Sequence, residues 1–539
     1  MPTASNIPFG LRTTQAKLIC TIREAEMRAV WGASKRGVVA GLLIAWVLLI
    51  STSAFAQHTY YISKSLGSDS RTPTQAQSKS TPWAHVPGMQ SCASNCASYT
   101  PAAGDNFILY GGDSWLAADL AINTCPSGCW NGSVGNPISI TVDKTWYNSS
   151  VCGGSWCRPI FNLQNSTGTL VGGSVVWLYS DYWVFDNVEI TGYQQSGGGG
   201  NVVAIVGTGV EVKNVYIHNF SRTAGSSGSN SVCFVTNGSS GGGGGSSIHD
   251  SICDGADSPN QDFMGGILHG NSVYNNVIRY VYNGMNGAFN DIHGNLIEHN
   301  YISTSGDHCN MIFPQGTFSG ETIKIYNNVI RNKTCGTTLF TLANSNDTNL
   351  IAYQYNNVLY DNASGNDGIG SGGHDPTGVY YDYNNTVVSL DNCFGNGEAP
   401  ATKSVTHYEN NHCVAPTVCV AAGTSCVDGG GNLQQTAAQA NSNKSPHYDQ
   451  YTDKQTYAYS PVAASNSTVG AGNNLSSMCS GNLAALCSDT AYATYDQANH
   501  TVVMRTVNAR PASGAWDIGA YLFQDGPIQP PTGVKATAH

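Results

Sequence analysis

This chain has little charge, few basic residues and no apolar run long enough to cross a membrane. Only 11% of its 539 residues are charged, with 23 Lys and Arg against 34 Asp and Glu. A nucleic-acid binder needs a basic face, so that class is excluded. The apolar run from Val38 to Ile50 has 13 residues, short of the ~20 that a spanning helix needs. The β-rich segments described below also lack any 3.6-residue apolar stripe, which excludes helical repeats.

What is present at the N-terminus reads as an export signal. Lys35 and Arg36 precede the apolar run, and Ala54-Phe55-Ala56 is a small-x-small cleavage site, so the mature chain is expected to start at Gln57. An uncleaved membrane anchor is the alternative. Starting at Met27 would give the leader an ordinary basic region. Residues 1–56 carry six basic and two acidic residues, which leaves 17 Lys and Arg against 32 Asp and Glu in the remainder. So acidic a surface would meet an acidic polymer only through a local basic cleft or bridging cations.

Of 17 cysteines, Cys20 lies in the leader. The other 16 fall in neighbouring couples: Cys92/Cys96, Cys125/Cys129, Cys152/Cys157, Cys233/Cys253, Cys309/Cys335, Cys393/Cys413, Cys419/Cys426 and Cys479/Cys487. Local disulfides suit an oxidising compartment. Zinc at the two CxxxC couples is the rival reading, but no His stands beside them at ligand spacing.

One short pattern recurs: a β-rich segment, an Asn or Asn-Asn, then a β-branched or aliphatic pair. Examples are Tyr274-Asn275-Asn276-Val277-Ile278, Tyr326-Asn327-Asn328-Val329-Ile330 and Tyr355-Asn356-Asn357-Val358-Leu359. Earlier copies hold Asn187, Asn214 and Asn295, later ones Asn385 and Asn411, and Ile248-His249-Asp250-Ser251-Ile252 is degenerate. Steps such as Asn328 to Asn357 (29 residues) and Asn357 to Asn385 (28) match one coil of three short strands and three turns. The step of 19 from Asn276 to Asn295, followed by one of 33, implies unequal loops and an intact register. Asn tolerates the left-handed backbone of a tight corner. Stacked coils bring these amides within about 4.8 Å of one another, where they can hydrogen-bond up the stack. A β-propeller or sandwich with chance Asn pairs is the bland alternative. The expected fold is therefore all-β, a right-handed parallel β-helix.

On these residues the segment 57–525 resembles the pectin lyase-like superfamily of β-helix proteins. Tyr60-Tyr61-Ile62-Ser63, Gly67-Ser68-Asp69-Ser70 and Thr81-Pro82-Trp83 are similar to its opening strand and cap. Gly470 to Leu475, Arg510-Pro511 and Asp517 to Tyr521 are similar to its closing segment. The organisation expected is a signal peptide (1–56), a cap and first coils (57–170), regular coils (171–415), last coils and cap (416–525) and a Pro-rich tail (526–539). The superfamily includes lyases, hydrolases, epimerases and binding proteins, so fold alone names no activity.

The resemblance implies a groove along the first strand of each coil, flanked by loops. Aligned on apolar positions, Asn286, Asn310, Thr338 and Asp367 are expected in one outward, substrate-binding column. The densest spot is Gly306-Asp307-His308-Cys309-Asn310. His308 there is a candidate general base, oriented by Asp307. Asp262, Asp307 and Asp367 are candidate Ca²⁺ ligands, because that ion takes carboxylate oxygens. Arg279 and Arg331 each stand three residues after a ladder Asn and are candidates to neutralise a sugar carboxylate, which Arg binds bidentately. The competing readings are an Asx turn for Asp307-His308 and surface strand positions for the arginines. His293 takes the place of a ladder-adjacent Tyr, which points to packing. Gly365 to Ile369 with Gly373-His374 is similar to polygalacturonase motifs, but the paired Asp-Asp is missing. The expected protein is secreted, monomeric and polysaccharide-active, foremost a lyase on an acidic, uronate-containing glycan. A noncatalytic glycan-binding or matrix protein and a glycoside hydrolase are the alternatives.

Overall fold

The computed structural model describes residues 57–524, apart from 169, 196–199, 223–230, 237–243, 259–264, 301–308, 317–319, 344–348, 363–367, 374–377, 396–403, 421–423 and 442–458. The leader and the tail lie outside the described residues. One coil shows the repeating unit. Ile312–Gly316 lies in a first sheet, Thr322–Tyr326 in a second and Val329–Arg331 in a third. The next coil repeats them as Leu339–Ala343, Ile351–Tyr355 and Val358–Tyr360. Every strand pairs in parallel with its counterpart one coil on, as in Ile312 with Leu339, Tyr326 with Tyr355 and Val329 with Val358. Parallel strands joined by crossovers wind right-handed, and the fold is a right-handed parallel β-helix. Its third sheet runs from Ser114–Leu116 to Leu433–Gln435. The uneven Asn steps do not break register: Val277 pairs with Leu296, and Leu296 with Val329.

The corner from second to third sheet is a two-residue turn, and its two residues divide the work expected of one. The first takes the left-handed backbone: Asn275, Asn327, Asn356 and Asn384 have φ of 56°, 57°, 55° and 49°. The second builds the ladder. Asn328 donates from its amide N and Nδ2 to Oδ1 of Asn357, and Asn357 does the same to Asn385. Asn187 and Asn214 hold only the first position, with φ of 59° and 54°, and Val188 and Val215 follow them. The ladder therefore begins at Ser251, which donates to Asn276, and ends on Asn432, which accepts from Asn411. Its asparagines from Asn276 to Asn411 are buried, and every polar atom of the stack has a use.

The interior is filled by like-on-like apolar columns such as Val273, Ile292 and Ile325 on the second sheet. All eight cysteine couples are disulfides. Cys233–Cys253 and Cys393–Cys413 run through the interior, each joining a first-sheet strand to a third-sheet strand with both cysteines fully buried. The second-sheet column changes character at Gln354 and Asp382, which follow Ile325 inward and are 0% and 1% exposed. Burial pushes the Asp382 carboxyl well above the ordinary range. Its contribution to stability is complete below about pH 4, where the unfolded carboxyl is also protonated. That contribution is lost as pH rises through the folded value. Asp382→Asn is therefore expected to raise the melting temperature at pH 8 and to change it little at pH 4. Equal shifts at both pH values would show that the carboxyl titrates normally.

The segment expected to cap the end of the stack lies lengthwise on its side instead. Residues 459–523 return over the corner and the third sheet. Asn410 donates to the Asn473 carbonyl at 2.8 Å, Arg510 to Asn356 Oδ1 at 3.3 Å and Ala493 N to the Gly294 carbonyl at 2.7 Å. The hairpin of Ala493–Asp496 and Thr501–Met504 reaches Tyr216, whose ring stacks on His500 at 4.5 Å. The cause is an apolar outer column on the third sheet (Tyr216, Ile252, Val277, Leu296, Val329 and Val358), which packs against Tyr492, Ala493 and Tyr521.

Candidate functional site

Three sheets give three outer faces, and the third is covered by the C-terminal segment. On the third sheet, Asp254, Arg279, Glu298, Arg331 and Tyr360 are successive register partners, one per coil. Arg331 Nη2 lies 2.6 Å from Glu298 Oε2, and Arg279 Nε lies 3.4 Å from Glu298 Oε1 and 3.6 Å from Asp254 Oδ1. Arg331 also donates to the Tyr360 hydroxyl at 3.0 Å. The Tyr495 ring of the hairpin covers Arg279 at 5.2 Å. Arg279 and Arg331 thus occupy matching places, as their spacing implies. They are only 2% exposed, however, and face neither a groove nor solvent. Near the hairpin, His218 lies between Asp257 at 2.6 Å and Glu189 at 3.2 Å. Burial lowers its pKa, but the two carboxylates outweigh that and hold it up to about 9. It is a paired imidazolium and has no free lone pair to act as a base.

The second sheet carries a ring ladder, His249, Tyr274, His293, Tyr326 and Tyr355, with centroids 4.4, 5.0, 4.6 and 4.7 Å apart and planes within 9° of parallel. Rings stacked on one another leave only their edges for solvent, so the ladder ties coils together and offers no face to a sugar. His293 has the packing role read from its position.

The first sheet remains. Its outward column runs Trp177, Ala204, Val235, Leu268, Asn286 and Phe313 by strand register. The connections that lead into and out of its strands differ in length, such as 301–311 and 344–350, whereas the Asn corner is always two residues. In a solenoid, insertions on one face build the binding surface.

Asn286 lies on this face and accepts at Oδ1 from Gln315 Nε2 at 2.8 Å. It does not share a column with Asn310 and Thr338. Asn286 pairs with Phe313, while Asn310 precedes its strand and accepts from the Thr337 N at 3.0 Å and Oγ1 at 2.9 Å. Thr338 is fully buried. Ile312 pairs with Leu339, so Asn310 and Thr338 both stand ahead of their strands and out of register with Asn286. Asp262, Asp307, His308 and Asp367 lie outside the described residues. Among the described residues no group of three His, Cys, Asp or Glu could hold a metal ion.

The residue that sequence reading passed over is His269. It sits at a bulge between Leu268 and Gly270, with φ 58°, and accepts at Nδ1 from the Ala288 amide at 2.9 Å. Its ring lies so close over Gly287 that a Cβ there would come within 2.4 Å. Burial lowers its pKa. The string Gly265-Gly266-Ile267-Leu268-His269-Gly270 carries no motif that would have marked it.

The architecture is that of a right-handed parallel β-helix. No family model matches the chain, and no curated protein is similar to it. Among solved structures it is similar to pectate lyase Pel9A, with 13% identity over 87% of this chain and 96% of that one and a TM-score of 0.39. A rhamnogalacturonan lyase is similar with 14% identity, over 69% and 84% of the chains, at a TM-score of 0.35. A lacto-N-biosidase from Eubacterium ramulus shares 11% identity, over 70% and 67%, at 0.27. Likeness at this level concerns the course of the backbone and carries no chemistry.

Proposed function

We propose that this is an exported, polysaccharide-active protein that holds a linear glycan along the outer face of its first sheet and cleaves a uronate-containing chain by elimination. One observation supports the location above others. The third sheet is covered by the C-terminal segment, the second carries stacked rings seen edge-on, and the first is the sheet whose strands are reached by connections of unequal length. The eight disulfides agree with an oxidising, extracytoplasmic setting.

In this reading His308, with Asp307, takes the proton beside the sugar carboxylate, and the amides of Asn286 and Gln315 donate to the sugar's oxygens. His308→Ala is expected to lower kcat by roughly 10²–10⁴-fold, the usual share of a general base. The readout is the absorbance of unsaturated product on polygalacturonate and alginate. Wild-type protein that releases no such product from any uronate polymer ends the lyase reading. Calcium on Asp262, Asp307 and Asp367 belongs to the same proposal, and activity that survives EDTA removes it.

A specific observation favours noncatalytic glycan binding as the second reading: the two arginines are committed to Glu298 and withdrawn from the open face. Binding to a glycan array that is indifferent to His308→Ala would select it.

A further inference from the structure

We propose that His269 is a substrate-binding residue, donating a hydrogen bond from Nε2–H to an oxygen of the glycan on the first sheet. The proposal rests on the first-sheet reading above and names a contact within it.

The first argument is the tautomer. An N–H donates to Nδ1, from Ala288. A neutral imidazole whose Nδ1 is an acceptor carries its proton on Nε2. Protonating Nδ1 would remove that hydrogen bond. The ring is therefore held as a neutral donor, and Nε2 has no hydrogen-bond partner among the described residues.

The second argument is position. Gly265–Tyr274 and Met285–His293 pass from first to second sheet as continuous strands, whereas segments such as 237–246, 317–321 and 344–350 intervene in other coils. At these two coils the first sheet runs into the second with no insertion, and His269 stands at that junction. Its chain neighbour Leu268 pairs in register with Asn286, which Gln315 contacts.

The third argument separates corner from side chain. A bend without a loop needs a residue at positive φ, and Asn or Gly would fill that need as well as His. The imidazole adds a donor that the corner does not require. Strained residues at bulges concentrate where a side chain must be aimed.

His269→Asn isolates the donor. Asn tolerates the left-handed corner and offers Oδ1 to the Ala288 amide, but it has no group where Nε2–H stood. Affinities are measured calorimetrically for galacturonate, mannuronate and xylose hexamers, beside Asn286→Ala and Gln315→Ala. His269→Asn is expected to keep the wild-type melting temperature. It should weaken the bound hexamer about 3- to 10-fold if the acceptor is a hydroxyl and about 10- to 100-fold if it is a carboxylate. The ¹⁵N signal of wild-type Nε2 should move on adding that hexamer, which a purely structural histidine would not show. Unchanged affinity and an unmoved signal, with binding still lost in Asn286→Ala or Gln315→Ala, overturn the role of His269 and leave the groove standing. No binding of any hexamer by the wild type overturns both.

Discussion

Glu298→Ala is expected to be among the most damaging single substitutions in the described chain, costing about 3–5 kcal/mol, the usual loss when one partner of a buried ion pair is removed. Glu298 is fully buried between Arg279 and Arg331, and each guanidinium is 2% exposed beneath the C-terminal hairpin. Truncation leaves two buried cations facing each other with no anion between them. The loss should appear as a lower denaturant midpoint and as new proteolytic cleavage between residues 493 and 504, because the hairpin covers that charge row. Replacing the buried pair together, Glu298→Leu with Arg331→Met, is expected to cost less than Glu298→Ala alone. A single-substitution loss under about 1 kcal/mol, the value of an exposed pair, would show that the row is hydrated and the hairpin is not seated on it.

Asn357→Ala is the second large effect, at roughly 2–6 kcal/mol, from two buried backbone groups orphaned at about 1–3 kcal/mol each. Asn357 Oδ1 accepts from the Asn328 amide at 3.1 Å, and its Nδ2 donates to the Ile325 carbonyl at 2.9 Å. Removing the side chain strands both groups in the middle of the ladder. Asn432→Ala, at the half-buried last rung, should cost less than half as much, because water can replace what it supplied to Asn411. Asn356→Ala tests the other corner position. There the backbone has φ 55°, and the side chain reaches the carbonyls of Ala485 and Ser488 on the returning segment. Thermal unfolding of the three variants ranks the positions. Equal losses at Asn357 and Asn432 would deny that the ladder is cooperative along the stack.

These two substitutions mark where sequence reading succeeds and where it stops. The coil, its corner and all eight cysteine couples were legible because each is a regularity along the chain. A coil places residue i beside its copy one period later, so spacing alone reports the contact. The division of the Asn-Asn corner was not legible, since both positions favour Asn for different reasons, one for its backbone and one for its amide. The site was the least legible part. Alignment on apolar residues set Asn286, Asn310 and Thr338 in one column. The true register sets Asn286 against Phe313 and leaves Asn310 and the buried Thr338 ahead of their strands, because apolar spacing alone does not mark where a strand begins.

By itself, then, the sequence determined the scaffold: a disulfide-stapled, right-handed β-helix with an amide ladder at one corner. Only the tertiary structure decided which outer face is covered. A segment far downstream, Tyr492 to Tyr521, folds back over the third sheet because that sheet has an apolar outer column to bury, and it takes Arg279 and Arg331 into the covered row. No local pattern announces such a distant cover. The same packing leaves the first sheet, with His269 at its junction with the second, outside the covered region.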